Sequence, residues 1–279
     1  MTVGIVGLGL IGGSAAKAYR EAGHTVYGSD RDPAIAPFAV LDGALDGLLD
    51  RENLLKCQLL LLCVYPEGVL DYLEREAANI APDTLVIDFA GVKGLICDKA
   101  FSIAEHHGFT FVGGHPMAGS QRSGYAVSRA NLYSGASMVV VPPRFDDPDL
   151  FARVKEALFP LGFARTTFCR AEEHDRMIAY TSQLAHVVSN AYVRSDASEN
   201  HRGFSAGSWK DLTRVAYLNE EMWATLFLNN REALLAELDV LLDHLAEYRT
   251  AIDTCDRETL VRILRDGREK KTRADRPTR

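Results

Sequence analysis

Val3-Gly4-Ile5-Val6-Gly7-Leu8-Gly9-Leu10-Ile11-Gly12 is the stretch on which the fold turns. A short apolar run, readable as a buried strand, leads into G-x-G-x-x-G and then into a helical pattern over residues 11–22. In that setting the three glycines have separate tasks. Gly7 permits a tight turn, Gly9 lets a pyrophosphate approach the backbone, and Gly12 lets helix and strand pack closely. The start of the helix offers free N–H groups and a positive dipole end to phosphates, so Gly7, Leu8, Gly9, Leu10, Ile11 and Gly12 form a candidate cofactor cradle. Asp30 closes the second strand, where a carboxylate accepts ribose hydroxyls and repels a ribose 2′-phosphate. That favours NAD. Arg31 beside it would stack on adenine, or pair with a 2′-phosphate if Asp30 turned away.

Outward from this turn, apolar runs at residues 3–6, 25–28, 59–64, 85–88, 110–112 and 138–141 read as strands, with an edge strand over 166–169. Helical patterns cover 67–79, 95–107 and 149–161. Continuous apolar strands alternating with helices predict a mainly parallel sheet covered on both faces. After about residue 170 the strands stop, and helices dominate from His174 to about Arg265. The expected architecture is α/β: a Rossmann-type parallel-sheet domain over 1–169, then an all-helical domain over 170–279. Residues 265–279 are charged and lack an apolar face, which predicts a frayed tail.

Composition narrows the function. The 279 residues carry a net charge of −7, against a general nucleic-acid or anionic-membrane binder but compatible with a small anion held by local arginines. Five cysteines without C-x-x-C spacing fit a reduced, cytoplasmic protein and present no thiolate metal site. The apolar run at 59–64 is too short to span a bilayer.

Three further segments carry chemistry. In Gly113-Gly114-His115-Pro116-Met117-Ala118-Gly119-Ser120 a histidine follows a strand, among residues too small to bury it. On a parallel sheet it lies at the carboxyl edge near the nicotinamide end of a cofactor, placed to accept a hydroxyl proton. From His174 onward, Asp175, Ser182, His186 and Ser189 fall on one helical stripe amid apolar neighbours, facing either a wet cleft or structural partners. Gly207-Ser208-Trp209-Lys210-Asp211-Leu212-Thr213-Arg214 ends on a guanidinium suited to a carboxylate. Lys93, after Asp88-Phe89-Ala90-Gly91-Val92, reads as a first-turn lysine, with an anion contact from its loop as the alternative.

The combination of the glycine turn, His115-Pro116-Met117-Ala118-Gly119, His174-Asp175 with His186, Lys210 to Arg214 and Met222-Trp223 resembles the prephenate dehydrogenase family of tyrosine biosynthesis, arogenate-using relatives included. The resemblance implies NAD-dependent oxidative decarboxylation of prephenate. It makes His115 the catalytic histidine and Arg214 the substrate-carboxylate ligand. His186, Gly207 and Trp223 line the pocket, and the assembly is a homodimer. One departure stands out: many relatives carry a hydroxyl where this chain has Gly91. The alternatives are arogenate dehydrogenase, a hydroxyacid or imine reductase, and a non-catalytic NAD-binding sensor. Leu234, Leu238, Leu241, Leu245, Tyr248 and Ile252 form a seam that wants a partner helix, and Asn219 reads as an N-cap.

Overall fold

The computed structural model describes residues 1–120 and 122–276. They form two compact units, Met1–Asn230 and Arg231–Arg279. The first opens as β1 (Thr2–Val6), α1 (Leu10–Glu21), β2 (Thr25–Ser29), α2 (Ile35–Leu41), β3 (Gly47–Leu48), α3 (Arg51–Leu54), β4 (Leu59–Leu62), α4 (Pro66–Glu76), β5 (Leu85–Asp88), α5 (Cys97–His107) and β6 (Thr110–Pro116). It continues through β7 (Ser137–Val141), α6 (Pro148–Leu158) and β8 (Arg165–Phe168).

Sheet order is β3-β2-β1-β4-β5-β6-β7-β8. From β3 to β6 every pairing is parallel. The order reverses between β1 and β4, which makes a ligand crevice at the carboxyl edge. Leu59 to Leu62 are all buried, since β4 is covered on both faces. The sheet and its succession of helices follow from the apolar runs. The small elements α2, β3 and α3 were not anticipated, because they are too short to show a period.

The structure corrects the sequence reading at β6. This strand runs to Pro116, and its last residues pair antiparallel with β7, His115 lying opposite Val139. His115 therefore sits within the strand end rather than in a loop after it. Among the described residues, the connection from β6 to β7 holds a one-turn 3-10 segment, Tyr125–Val127, and no crossover helix. It is pinned to α1 instead: Ser14 Oγ accepts from the Arg129 N–H at 3.0 Å, and the Tyr133 hydroxyl donates to the Ile11 carbonyl at 2.6 Å. A chain held on that side returns alongside β6 in the opposite direction.

After β8 come α7 (Ala171–Ile178), a π-helical stretch Ala179–Gln183, α8 (Leu184–Val193), α9 (Gly207–Thr213) and α10 (Glu220–Asn229), all in the first unit. Asn219 caps α10, its side chain accepting from the Met222 N–H at 2.9 Å. The π-helical stretch breaks the register from which the polar stripe was read. Ser182 contributes its carbonyl rather than its hydroxyl, and the buried Ser189 hydroxyl has no partner among the described residues.

The second unit holds α11 (Arg231–Asp253) and α12 (Arg257–Ala274). The helical α12 replaces the expected frayed start of the tail, aided by Asp256, which accepts from the Thr259 N–H at 3.0 Å. Residues 277–279 lie outside the described residues. Among the described residues no helix is long and apolar enough to cross a membrane.

Candidate active site

The glycine turn has the shape that its sequence demands. Gly7 adopts φ +86°, and a Cβ there would come within 2.5 Å of the Cys63 carbonyl oxygen. A Cβ on Gly12 would strike the Gly7 carbonyl at 1.8 Å, so the entry to α1 tolerates only glycine. Gly9 faces open space, and α1 starts with no side-chain cap and no acidic residue in its first turn. That end of the helix keeps donors free for an anion. Leu8 and Leu10 bury their side chains, so only their backbone is available to a ligand. Asp30 accepts from the Leu8 N–H at 2.6 Å and the Asp32 N–H at 3.0 Å. Two backbone donors anchor the carboxylate toward the turn and disfavour the turned-away arrangement that an NADP phosphate would need. Arg31 is exposed beside it.

His115 stands on the same sheet edge, three strand spacings or about 15 Å along it. Its Nδ1 lies 2.8 Å from His174 Nε2, and His174 Nδ1 lies 2.6 Å from Asp175 Oδ1. The Asp175 carboxylate also accepts from the backbone N–H groups of Lys93 (2.8 Å) and Gly94 (2.7 Å). Burial first, then His174 and the Lys93 ammonium, push the His115 imidazole well below its ordinary value of 6.5. Burial likewise lowers His174, although Asp175 pulls the other way. Burial opposes ionisation of Asp175, but the bonds from His174 and the Gly94 N–H carry its carboxyl below the usual range. At neutral pH the cluster is two neutral imidazoles on a carboxylate.

Lys93 corrects the sequence reading. It is neither a first-turn lysine nor open to an anion, because its side chain is 0 % exposed and paired with Asp88. The ammonium also donates to the Gly114 carbonyl at 2.7 Å, while Asp88 accepts from the Gly114 N–H at 3.2 Å and the Ala90 N–H at 3.0 Å. The pair clamps the ends of β5 and β6 together immediately before His115.

A second cluster lies on α8 and α10. The His186 ring stacks on Trp223 with centroids 3.7 Å apart and an interplanar angle of 27°. His186 Nδ1 is 2.8 Å from the Ser182 carbonyl within the π-helical stretch, so it carries the proton and leaves Nε2 as an acceptor. Burial and the Arg214 guanidinium lower its pKa, against the bond to Ser182. Arg214 is exposed at the end of α9, and Gly207 opens that helix facing open space. The structure thus brings together His115, His174 and Asp175 in one cluster, and His186, Trp223 and Arg214 in another.

Asp88, Gln183, Leu226 and Asn230 were missed. Asn230 ends α10 and donates to the Asp175 carbonyl and to Gln183 Oε1, each at 2.8 Å. Gln183 donates in turn to the Leu226 carbonyl at 3.1 Å. Only Asp88 had a sequence signal, an acid ending a fully apolar strand with a lysine five residues on.

A doubly wound sheet, a glycine turn before a helix and a neutral histidine on the same edge define a nucleotide-binding oxidoreductase. The family model of the prephenate dehydrogenase nucleotide-binding domain matches residues 15–165, and that of the prephenate dehydrogenase dimerization domain matches 170–266. The chain belongs to the prephenate dehydrogenase family. It is 29% identical to prephenate dehydrogenase of Bacillus subtilis, over 96% of this chain and 74% of that one. Among solved structures, arogenate dehydrogenase of Synechocystis is 29% identical with a TM-score of 0.83, covering 98% of this chain and 100% of that one. The prephenate dehydrogenase of Aquifex aeolicus in complex with hydroxyphenyl propionate and NAD+ is 27% identical with a TM-score of 0.85, covering 99% and 98%.

Proposed function

We propose that this chain is a cytoplasmic NAD-dependent prephenate dehydrogenase that converts prephenate to 4-hydroxyphenylpyruvate. The observation that carries the reading is the place of His115, its Nδ1 2.8 Å from His174 Nε2, on the carboxyl edge that also bears the glycine turn. Gly7 to Gly12, with Asp30 and Arg31, would hold NAD; when bound, it supplies the acceptor for the hydride from ring carbon C4. His115 takes the proton of the C4 hydroxyl. Arg214 holds a substrate carboxylate, and His186, Trp223 and Gly207 line the ring pocket. Loss of the ring carboxylate as CO2 makes the ring aromatic, so the protein positions the ring and removes a proton rather than driving the chemistry.

Residues 1–169 would serve as the dinucleotide-binding domain and 170–279 as the substrate and dimerisation domain. A homodimer accounts for α11, where Leu245 is 53% and Ile252 63% exposed along the seam in the single chain. A second reading, arogenate dehydrogenase, is favoured by the likeness to the Synechocystis enzyme. Initial rates of NADH formation with prephenate and with arogenate, for wild type and His115→Asn, test both. Turnover of prephenate that collapses in the variant is expected. Turnover of arogenate alone would reassign the substrate, and turnover of neither would overturn the proposed reaction.

A further inference from the structure

His174 and Asp175 have no part in the reaction described so far, yet their hydrogen bonds reach the base directly. An ionised carboxylate only accepts, so the 2.6 Å contact to Asp175 Oδ1 requires the proton of His174 to sit on Nδ1. Neutral His174 then offers a lone pair at Nε2. The 2.8 Å contact from there to His115 Nδ1 requires a proton on His115 Nδ1. One arrangement remains for neutral His115: Nδ1 protonated and Nε2 bare.

We infer that His174 and Asp175 are positioning residues that hold His115 in the tautomer able to take a proton at Nε2 and that receive the positive charge formed there. The inference rests on the proposed reaction. The groups facing His115 explain why such a partner is needed. From the loop after β5, the Lys93 ammonium opposes a charge on the ring, and its partner Asp88 is occupied by Lys93 and by two backbone N–H groups. Position 91 brings no hydroxyl: a Cβ there would lie 3.9 Å from His115 Cε1 and 3.2 Å from Leu226 Cδ2. From α7, the neutral His174 is backed by a carboxylate that three donors keep ionised. When His115 binds a proton at Nε2, its Nδ1 proton faces an acceptor whose far side is negative, and the charge is shared inward. Asn230 holds the Asp175 carbonyl from α10, so the pair is braced on both sides.

The test combines ring 15N shifts with kinetics of two variants. Wild-type His115 is expected as the Nδ1–H tautomer at neutral pH. His174→Phe removes the acceptor and should lower kcat about 10²-fold, with KM for NAD unchanged. His174→Gln restores an acceptor at the Nε2 position and should recover most of kcat. A His115 Nε2–H tautomer in the wild type would overturn the inference. So would wild-type kcat in His174→Phe, or equal losses in both variants that track their melting temperatures. If the wild type turns over neither ring substrate, the proposed reaction fails instead, and the 15N shifts decide the hydrogen-bond chain by themselves.

Discussion

The two clusters of candidate site residues are built on opposite plans. On the strand side, Asp88, Lys93, His174 and Asp175 are buried, and every one of them has a polar partner, so His115 stands on a rigid base. On the helix side, His186 and Trp223 are half-buried and meet face to face across α8 and α10, and Arg214 is exposed. Buried, satisfied polar groups specify one geometry, because any other arrangement leaves a donor or charge stranded. Stacked, partly exposed rings lose little when they shift. Proton transfer needs the first kind of environment, and recognition of a flexible anionic side chain tolerates the second.

That contrast can be broken in order of expected effect. His115→Asn should lower kcat by about 10² to 10⁴-fold with cofactor affinity intact, as steady-state rates against a cofactor titration would show. A similar loss from Trp223→Ala would erase the distinction between the clusters. Lys93→Met should cost about 3–5 kcal/mol of stability in urea unfolding, since it strands Asp88 in the core. Denaturation at the wild-type midpoint would mean that the clamp does not hold the strand ends. Trp223→Ala should raise KM for the ring substrate by about tenfold and leave kcat within about twofold, the worth of one lost aromatic contact.

Smaller, and spread over three rings, is the pH dependence of stability. His115, His174 and His186 all have folded pKa values below 6.5. Below that pH the unfolded chain binds protons that the folded one refuses, so stability is full above it and drains away as pH falls toward the folded values. Melting temperatures across this range should decline on acidification. A His174→Phe variant should decline less steeply, because one proton-binding difference is gone.

Much of this was legible in the residues. The apolar run before Gly7, the spacing of three glycines and the acid at Asp30 report local physics: buried strands need apolar residues, and the turn needs φ > 0 and close approach. His115, His186 and Arg214 enter as proposed site residues through the family resemblance, whereas Asn219 was legible because a cap is a local hydrogen bond. The reading failed where a partner lies far along the chain. Lys93 read as a first-turn lysine until its contact with Gly114 was visible, and the helical stripe was read through a π-helical stretch whose bonds leave no periodic mark.

By itself, the sequence determined the alternation of strands and helices, the glycine turn and the family, because strand burial and turn geometry depend on neighbours a few residues apart. Only the tertiary structure decided that His115 rests on His174 and Asp175, some 60 residues away, and that Lys93 lies buried against Asp88. A histidine's tautomer and a lysine's exposure are set by whatever the fold brings within 3 Å, and no local pattern encodes that distance.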